Sequence, residues 1–420
     1  MRWLRRASKL RRMKLGLEVK MLRTSHRLSL RMSATGMLML ACTAAMADIT
    51  VGAPFALSGS VGEQAQAMRQ GAELAVHQVN QQGGLLGDTY RLNFADTGCD
   101  PDKGVDAVRQ LVQSGAVALV GPVCSGVTMR VARSVTIPAG VTVLSVASAS
   151  SLITDLNDQD TVFRTAPSDA QKGNAMARQA FDMGMRNVAI SHASDAYNTG
   201  VAQVFADAFK ALGGRVTVNQ SHEPGKAEYQ REARAVAAGA DDVALFAYSG
   251  SGGVLYLKDV LAQPGVKRVV GTDGLMSKDL ASALSAEQLA RLTFVLAAAD
   301  TEREGYKRWL AMASAARIKA DGPYVAHAYD AAFMMALAIE AAGAADRARI
   351  PAALRSIAGP KGRVIYPGEF AKAKALIRQG ARIDYDGASG PVDFDAAGDI
   401  TGRFIVNRYS SGAWQTTLLK

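Results

Sequence analysis

The sequence predicts an α/β protein made of two Rossmann-like lobes with parallel-sheet cores. After Asp48, short apolar runs alternate with long amphipathic stretches, and this alternation starts again after residues 163–167. Strands that alternate with helices of 10 to 20 residues are typical of parallel sheets with crossover helices. The chain has 420 residues, which is enough for two domains that each bury a core.

The first half repeats a strand and helix cycle. A strand is predicted over residues 49–53, followed by a Gly/Ser loop and a helix over residues 63–82 that ends at a Gly-Gly pair. The cycle continues with the strand RLNFAD, the helix DKGVDAVRQLVQ, the strand VALVGPV, a helix that begins near Val127, and the strand VTVLSVA. The first lobe therefore has its sheet in this half.

The second half begins once the chain has passed through FRTAPSD. Its predicted elements, in order, are DAQKGNAMARQAFDMG (helix), NVAISHA (strand), GVAQVFADAFKALG (helix), RVTVNQS (strand), YQREARAVAAG (helix), VALFAYS (strand), GVLYLKDVLAQ (helix) and RVVGTDG (strand). The strand-like runs LTFVLAAA, GPVDFD and RFIVNRY come later still. We therefore expect the chain to return to lobes that it has already built.

Residues 1–47 have the layout of an export signal. They hold 11 Lys and Arg against Glu18 alone, so they carry the whole formal charge of +10 and the rest of the chain is neutral. The run GMLMLACTAAM and the small residues around Met46 follow, which predicts cleavage after Ala47 and a periplasmic protein. A transmembrane anchor or a lipid anchor at Cys42 are the alternatives, but the run is about half of the ~20 residues that span a bilayer.

A neutral mature chain gives no electrostatic reason to bind nucleic acid. Export also changes the meaning of the cysteines, because disulfides persist outside the cytoplasm. Cys99 and Cys124 would close a loop of about 26 residues, worth roughly 3 to 4 kcal/mol in the chain-entropy model. We predict this disulfide over free thiols or a metal site, since the five His are scattered.

Two loops of the first half have the composition of a ligand site. In open α/β sheets, ligands bind beyond the carboxyl ends of the strands. After VALVGPV comes Ser125, and after VTVLSV come Ala147, Ser148 and Ala149. Hydroxyls and backbone amides without bulk suit an anion such as a carboxylate. The alternative is that Ser125 only caps its own helix.

The second half contributes three further candidates. Ser249 opens a Gly/Ser loop that lacks the spacing and the lysine of a P-loop. Asp273 ends the strand RVVGTD, where it could also be an ordinary turn residue. Tyr197 lies in a loop at the end of NVAISHA. Nucleophile elbows, zinc-protease motifs and paired catalytic carboxylates are not visible in the sequence, which disfavours an enzyme, and we predict no cofactor and no metal.

Taken together, the residues resemble the type I periplasmic binding proteins of ABC importers, in the group that includes the leucine/isoleucine/valine-binding proteins. The resemblance covers residues 49–409. It rests on ITVGAPFALSGSVGEQAQAMRQGAELAVHQVNQQGGLLG, on the pair CDP and CSG around Cys99 and Cys124, on FRT, and on YDGASGPVDFDAAGD.

This resemblance implies two lobes joined by a three-crossover hinge, with the ligand held between them. It assigns the ligand's carboxylate to Ser125, Ala147, Ser148 and Ala149, and its ammonium to Asp273, while Tyr197 closes over the ligand. The implied segments are an export signal (1–47), first lobe (48–166 and 297–385) and second lobe (167–296 and 386–420).

The resemblance also implies a function. We expect a monomer that captures an amino acid, small amide or related carboxylate and delivers it to an inner-membrane ABC permease. A ligand sensor that partners a membrane receptor is the alternative. Ala149 stands where relatives often have threonine, and residues 60–62 and Ser249 stand where they often have aromatics. The pocket is therefore expected to be larger or more polar than one shaped for leucine.

Overall fold

The computed structural model describes residues 48–419. The predicted export signal, with Cys42 and the cleavage site at Ala47, lies outside this range. Residues 48–420 form one compact unit by their internal contacts. Within it, two large sheets and their covering helices make two lobes.

The first lobe is built on five parallel strands in the order β2-β1-β3-β4-β5. Its strands are β1 (Asp48–Phe55), β2 (Thr89–Asp96), β3 (Ala118–Val120), β4 (Thr142–Ser145) and β5 (Val162–Arg164). Its first helices are α1 (Gly62–Gln81), α2 (Pro101–Gln113) and α3 (Ser125–Val131), the last continuing as a π-helical turn over Ala132–Thr136.

The sequence sets the helix boundaries locally. The side chain of Asp100 accepts hydrogen bonds from the backbone N–H groups of Asp102 and Lys103, and Pro101 occupies the first turn. An N-cap carboxylate and a proline at this position both favour a helix start. Helix α2 therefore begins one residue before the predicted DKGVDAVRQLVQ.

The second lobe is built around five parallel strands that follow the same cycle. Its strands are β6 (Asn187–Ala193), β7 (Arg215–His222), β8 (Asp242–Phe246), β9 (Arg268–Thr272) and β10 (Leu292–Ala298). Its helices are α4 (Asp169–Asp182), α5 (Ala196–Ala211), α6 (Gln230–Ala237), α7 (Gly253–Leu261), α8 (Leu280–Ala283) and α9 (Ala286–Ala290).

The chain then returns to the first lobe. This segment contains α10 (Glu304–Ala315), α11 (Val325–Ala342), α12 (Ile350–Ile357), α13 (Phe370–Arg378) and the parallel pair β11 (Arg363–Ile365) and β12 (Ile383–Tyr385). Helix α11 packs on α1. It is long and apolar enough to cross a membrane, but 89% of it is buried in the protein, so it is a core helix of the first lobe.

One buried carboxylate on α11 holds the segment where the chain leaves the first lobe. The carboxylate of Asp330 accepts hydrogen bonds from the backbone N–H groups of Ala388 and Ser389, at 2.7 Å each. It also accepts from the hydroxyls of Ser389 and Tyr385. Four donors compensate for the burial of this charge, which fixes the start of the connection to the second lobe.

Two final strands, β13 (Arg403–Ser410) and β14 (Ala413–Leu418), complete the second sheet. Its order is β14-β13-β10-β9-β8-β6-β7, with β13 antiparallel to both β10 and β14. The predicted α/β fold with two lobes is confirmed, but the second sheet is mixed at this edge and not wholly parallel. The run GPVDFD was predicted as a strand and forms only a single bridge from Asp386 to Pro391.

The strands of the first sheet come from residues 48–164, and those of the second from residues 187–298 and 403–418. The chain passes between the two lobes more than once, because the helix Val325–Ala342, between these two parts of the second sheet, packs in the first lobe. The segment boundaries at residues 166, 296 and 385 stay predictions.

Candidate ligand-binding site between the lobes

Ser125 lies at the carboxyl end of β3, as the first residue of α3. It is buried, and its hydroxyl oxygen accepts a hydrogen bond of 3.1 Å from the backbone N–H of Ser150. The hydroxyl therefore links the loop after β3 to the loop after β4 and is not spent on capping its own helix. A hydroxyl that accepts one bond can still donate its own proton.

A disulfide holds the start of this loop. Cys99 and Cys124 are bonded, with 5.6 Å between their Cα atoms, so the predicted pairing is confirmed. The bridge ties the loop after β2 to the residue directly before Ser125. The cysteine beside the Ser-Gly turn is thus a structural crosslink and not a nucleophile.

The loop after β4 brings Ala147, Ser148 and Ala149 to the same end of the sheet. The hydroxyl of Ser148 lies 2.7 Å from that of Thr128 and donates to the carbonyl of Val123. This side chain therefore holds the two loops together inside the first lobe. Ala147 is partly buried, while Ala149 packs in the core cluster of the second lobe.

Arg164 holds this loop in place. It belongs to the FRT motif of the resemblance, but this role was not predicted. Its guanidinium forms a two-pronged pair with Asp399, at 2.5 and 2.6 Å, and donates to the carbonyl of Ser150 at 2.8 Å. A longer bond of 3.4 Å reaches the carbonyl of Ser148. Because Asp399 lies just before β13, the brace also ties the loop to the last connection between the lobes.

On the opposite side of the cleft, Asp273 and Tyr197 lie together. Asp273 follows β9 directly, and Tyr197 is in the first turn of α5, whose start is capped by Asp195. The hydroxyl of Tyr197 lies 3.4 Å from Oδ1 of Asp273, and its ring stacks on Tyr248 at 5.5 Å. Both predicted residues are buried and belong to one cluster.

A lysine that the sequence analysis missed lies at the centre of this cluster. The ammonium of Lys172, on α4, donates to Asp273 at 2.8 Å, to the hydroxyl of Tyr197 at 3.1 Å and to the hydroxyl of Tyr324 at 3.0 Å. Tyr324 directly precedes α11 in the first lobe. Burial alone would lower the pKa of Lys172, but Asp273 and the two tyrosines raise it well above its usual value.

Two further titratable groups adjoin the lysine. Asp169 is fully buried, its Oδ1 lies 3.6 Å from Nζ of Lys172, and neither carboxylate oxygen has a hydrogen-bond partner among the described residues. Burial, together with the charge of Asp273, raises the pKa of Asp169 to about 6, although Lys172 opposes the shift. Burial and the charge of Lys172 lower the pKa of His327 to about 4, so its ring is neutral at pH 7.

The two lobes touch around these groups. The backbone N–H of Asp169 donates to the carbonyl of Ala149 at 2.6 Å. The side chain of Gln64, on α1, donates to the backbone carbonyls of Asp273 and Met276. This is a closed arrangement of the lobes, because residues on both sides of the cleft share hydrogen bonds.

Ser249 begins a 3-10 turn after β8 and is partly buried. Its neighbour Gly250 approaches the first loop of the other lobe: a Cβ atom at Gly250 would lie 2.4 Å from the carbonyl oxygen of Ser60. Relatives often have aromatic side chains in the loop of residues 60–62 and at Ser249. In this protein the backbones of these two loops lie close together instead. Whether Ser249 contacts a ligand stays a prediction.

Within residues 48–419, the His, Cys, Asp and Glu side chains form no group of three or more that could hold a metal ion. The cleft instead offers hydroxyls and amides on one side and a charged, aromatic cluster on the other. The roles of Ser125, Ala147, Ser148, Ala149, Tyr197, Ser249 and Asp273 as ligand contacts stay predictions.

Comparison with known proteins places the chain among binding proteins. The family model described as periplasmic binding protein matches residues 48–399. The chemotactic signal transduction system substrate-binding protein BasB of Halobacterium salinarum is 30% identical over 89% of this chain and 90% of that protein. Leu/Ile/Val-binding protein homolog 3 of Brucella melitensis is 30% identical over 72% of this chain and 82% of that protein.

Solved structures agree on the fold. The leucine-binding protein LivK of Thermotoga maritima superposes with a TM-score of 0.74 at 19% identity, over 88% of this chain and 98% of that one. A solute-binding protein of an ABC transporter from R. palustris, in complex with benzoate, gives a TM-score of 0.70 at 22% identity, over 89% of this chain and 96% of that one.

Proposed function

Since the chain belongs to the periplasmic binding protein family, we propose that it is an exported solute-binding protein that closes around an amino acid or a related small carboxylate and delivers it to an ABC permease. It carries out no chemical reaction on this ligand. The relatives named for leucine, isoleucine and valine support amino acids as the ligand class.

One observation carries this proposal. Polar groups of both lobes are buried at the carboxyl ends of the two sheets, and the bond from Lys172 to Tyr324 joins the second lobe to the first. The Ser125 and Ser150 pair lies on one side, and Lys172, Tyr197 and Asp273 lie on the other. Burying polar and charged groups at a separable interface costs free energy, which a ligand can offset by completing their hydrogen bonds.

Binding and closure are coupled in this mechanism. The first lobe offers the Ser125 hydroxyl and the amides of Ala147 and Ala149 to a carboxylate, since the amides of Ser148 and Ser150 already donate to Ser145 and Ser125. The second lobe then adds Tyr197 and the groups around Asp273. A ligand favours the closed form only by the extra contacts it makes there. Capture in the micromolar range would correspond to about −8 kcal/mol.

A second candidate function is sensing. One relative is named for a chemotactic signal transduction system, and the alignment spans most of both chains. In that case the closed protein would contact a membrane receptor and not a permease. The fold and the cleft would be the same. Transport and sensing therefore differ only in the membrane protein that binds the closed form.

A ligand screen with a closure control tests the proposal. We expect thermal-shift screening of amino acids, amides and small carboxylates to give a ligand that stabilises the protein and is recovered unchanged after incubation. Gly250→Ala places a methyl group against the Ser60 carbonyl, so it should weaken that ligand at least tenfold and keep the lobes further apart in small-angle X-ray scattering.

Gly265→Ala is the matched control. It is the same substitution in the same lobe, and the nearest atom to its added Cβ is 3.9 Å away. It should leave the affinity within twofold of the native protein. If no compound in the screen binds, or if the two variants behave alike, capture by lobe closure is wrong. Uptake of the labelled ligand in cells with and without the permease then separates transport from sensing.

A further inference from the structure

The cleft already contains an ammonium group, that of Lys172. A primary ammonium has three N–H donors, and those of Lys172 are all used: they point to Asp273, Tyr197 and Tyr324, at 2.8, 3.1 and 3.0 Å. The side chain is fully buried. An amino acid ligand would bring the same chemical group, a primary ammonium, and would need the same kind of acceptors.

The acceptors come from both lobes. Asp273 and Tyr197 belong to the second lobe, while Tyr324 directly precedes α11 in the first. The ammonium therefore lies where the lobes meet and not inside either core. A ligand amine that entered the closed cleft near Asp273 would find this carboxylate oxygen already paired with a cation of the protein.

A second cation beside Lys172 would have to share the carboxylates that the lysine already uses. Oδ1 of Asp273 accepts from Lys172 at 2.8 Å. Asp169, the other carboxylate in contact with the lysine, pairs with the same Nζ at 3.6 Å. A second ammonium would be repelled by Nζ of Lys172 at short range, in a site where burial strengthens that repulsion.

An anion meets different conditions. The first lobe offers neutral donors, namely the Ser125 hydroxyl and the amides of Ala147 and Ala149, and the Lys172 ammonium adds a positive charge where the lobes meet. Hydrogen bonds from neutral donors, with a cation close by, are sufficient to hold a carboxylate. The ligand therefore needs no charged group other than its carboxylate.

We infer that the ligand is a small organic carboxylate without an α-amino group, because Lys172 occupies the position of the ligand's amine. This inference rests on the proposed function and narrows its ligand class. It makes Lys172 a specificity-determining residue: the lysine excludes amino acids and leaves room for acids of the same carbon skeleton.

Matched pairs of ligands test it. Isothermal calorimetry would compare leucine with 4-methylpentanoate, and phenylalanine with 3-phenylpropanoate, where each pair differs in the amine alone. We expect at least one amine-free acid to bind, and its amino acid to bind at least 100-fold more weakly. An amino acid that binds as tightly as its amine-free partner, or more tightly, overturns the inference.

Lys172→Met should change that preference. Removing the ammonium frees Asp273, so the affinity ratio should shift toward the amino acid by at least tenfold. Lys374→Met is the matched control, because Lys374 is also a buried lysine but donates to the carbonyl of Gly84 inside the first lobe. In Lys374→Met the ratio of the affinities for the amine-free acid and the amino acid should stay within twofold of the native ratio. Equal ratios in the two variants would contradict a role for Lys172 in selection.

If Lys172→Met fails to fold, Asp273→Asn decides. This variant keeps the lysine and makes the site more positive, so the amine-free acid should bind within threefold of its native affinity or more tightly. A loss of more than tenfold contradicts the inference. The failures are distinguishable: binding of amino acids alone overturns this inference and keeps the proposed function, whereas folded protein that binds neither member of any pair overturns both.

Discussion

Two buried ion pairs flank the cleft, and they differ in how completely their partners are satisfied. The side chains of Arg164 and Asp399 are 1% and 7% exposed, and those of Lys172 and Asp273 are 0% and 8% exposed. Burial is therefore the same. Arg164 forms two bonds to its carboxylate and further bonds to backbone carbonyls and to Thr154. Lys172 shares its donors among side chains of two lobes, beside Asp169, whose carboxylate oxygens accept no hydrogen bond from the residues that the structure describes.

This difference indicates that the Arg164 pair has a structural role and the Lys172 pair a functional one. A planar guanidinium with a two-pronged carboxylate has one preferred geometry, and here its other contacts are backbone carbonyls and the Thr154 hydroxyl. A lysine ammonium is a point charge on a flexible stem, and one of its contacts must break when the lobes part. We therefore expect the Arg164 pair to govern stability and the Lys172 pair to govern which ligand binds.

The largest expected effect is that of Arg164→Met on stability. The change leaves Asp399 buried without its partner, which should lower the free energy of unfolding by roughly 3 to 5 kcal/mol in urea titrations. Arg178→Met, at an exposed position on α4, is the control and should change it by less than about 0.5 kcal/mol. A loss below about 1 kcal/mol for Arg164→Met would remove the distinction between the two pairs.

The same measurement on Asp273→Asn should give a smaller loss, roughly 2 to 3 kcal/mol. Lys172 keeps two tyrosine hydroxyls and the carboxylate of Asp169 as partners, so its charge is not left alone. A loss equal to or larger than that of Arg164→Met would mean that the lysine pair is the stronger brace, which reverses the comparison.

Asp169→Asn should stabilise the protein, and the gain should depend on pH. The pKa of the folded protein's Asp169, about 6, is above the ordinary value of about 4. The folded state therefore binds this proton more tightly, and the stability that the proton contributes is present below pH 4 and lost as pH rises through 6. Asparagine cannot ionise, so we expect a gain of roughly 1 to 2 kcal/mol at pH 7.5 that shrinks toward pH 4.

Urea unfolding at pH 7.5 and pH 4.5 measures this gain. Asp182→Asn, at an exposed position on the same helix, is the control and should show no such difference between the two pH values. A destabilised Asp169→Asn at pH 7.5 would show that Lys172 needs both carboxylates, contrary to this prediction.

The smallest expected effect is that of Tyr324→Phe. It removes one hydrogen bond, the contact of Lys172 with the first lobe, and should lower the free energy of unfolding by about 0.5 to 1 kcal/mol. The ligand-free protein should also become more open in small-angle X-ray scattering. Tyr409→Phe, on β13, is the control for the scattering. If the scattering of Tyr324→Phe is as unchanged as that of Tyr409→Phe, the contact from Lys172 to Tyr324 does not affect how far the lobes open.

The fold and one wall of the cleft were accessible from the sequence. Ser125 and residues 147–149 follow short apolar strands, so the rule for the carboxyl ends of parallel strands was enough to bring them together. The disulfide was predicted because two cysteines remain after the predicted cleavage, in a compartment where disulfides persist. The antiparallel edge of the second sheet was missed, because RFIVNRY reads as a strand without showing its direction.

Lys172 was missed for a physical reason. A lysine in the helix DAQKGNAMARQAFDMG is expected at the surface, since lysines are almost never fully buried without a partner. Its partners are 101 and 152 residues away in the chain, at Asp273 and Tyr324. One signal was present: Lys172 is four residues from Met176 and eight from Ala180, on the stripe that the helix buries. A cation on the apolar face of a helix predicts a buried anion elsewhere.

The carboxylate of Asp330 has a further consequence, which concerns the chain before it folds. Helix α11 has the length and composition of a membrane span, and the proposed export would carry this stretch across a membrane before it folds. An aspartate at the centre of such a stretch costs roughly 2.5 to 3.5 kcal/mol of insertion free energy. Asp330 is the sixth of the 18 residues, so its cost is below this range. The charge that holds residues 388 and 389 in the folded protein therefore also opposes the retention of this stretch in the lipid bilayer during export.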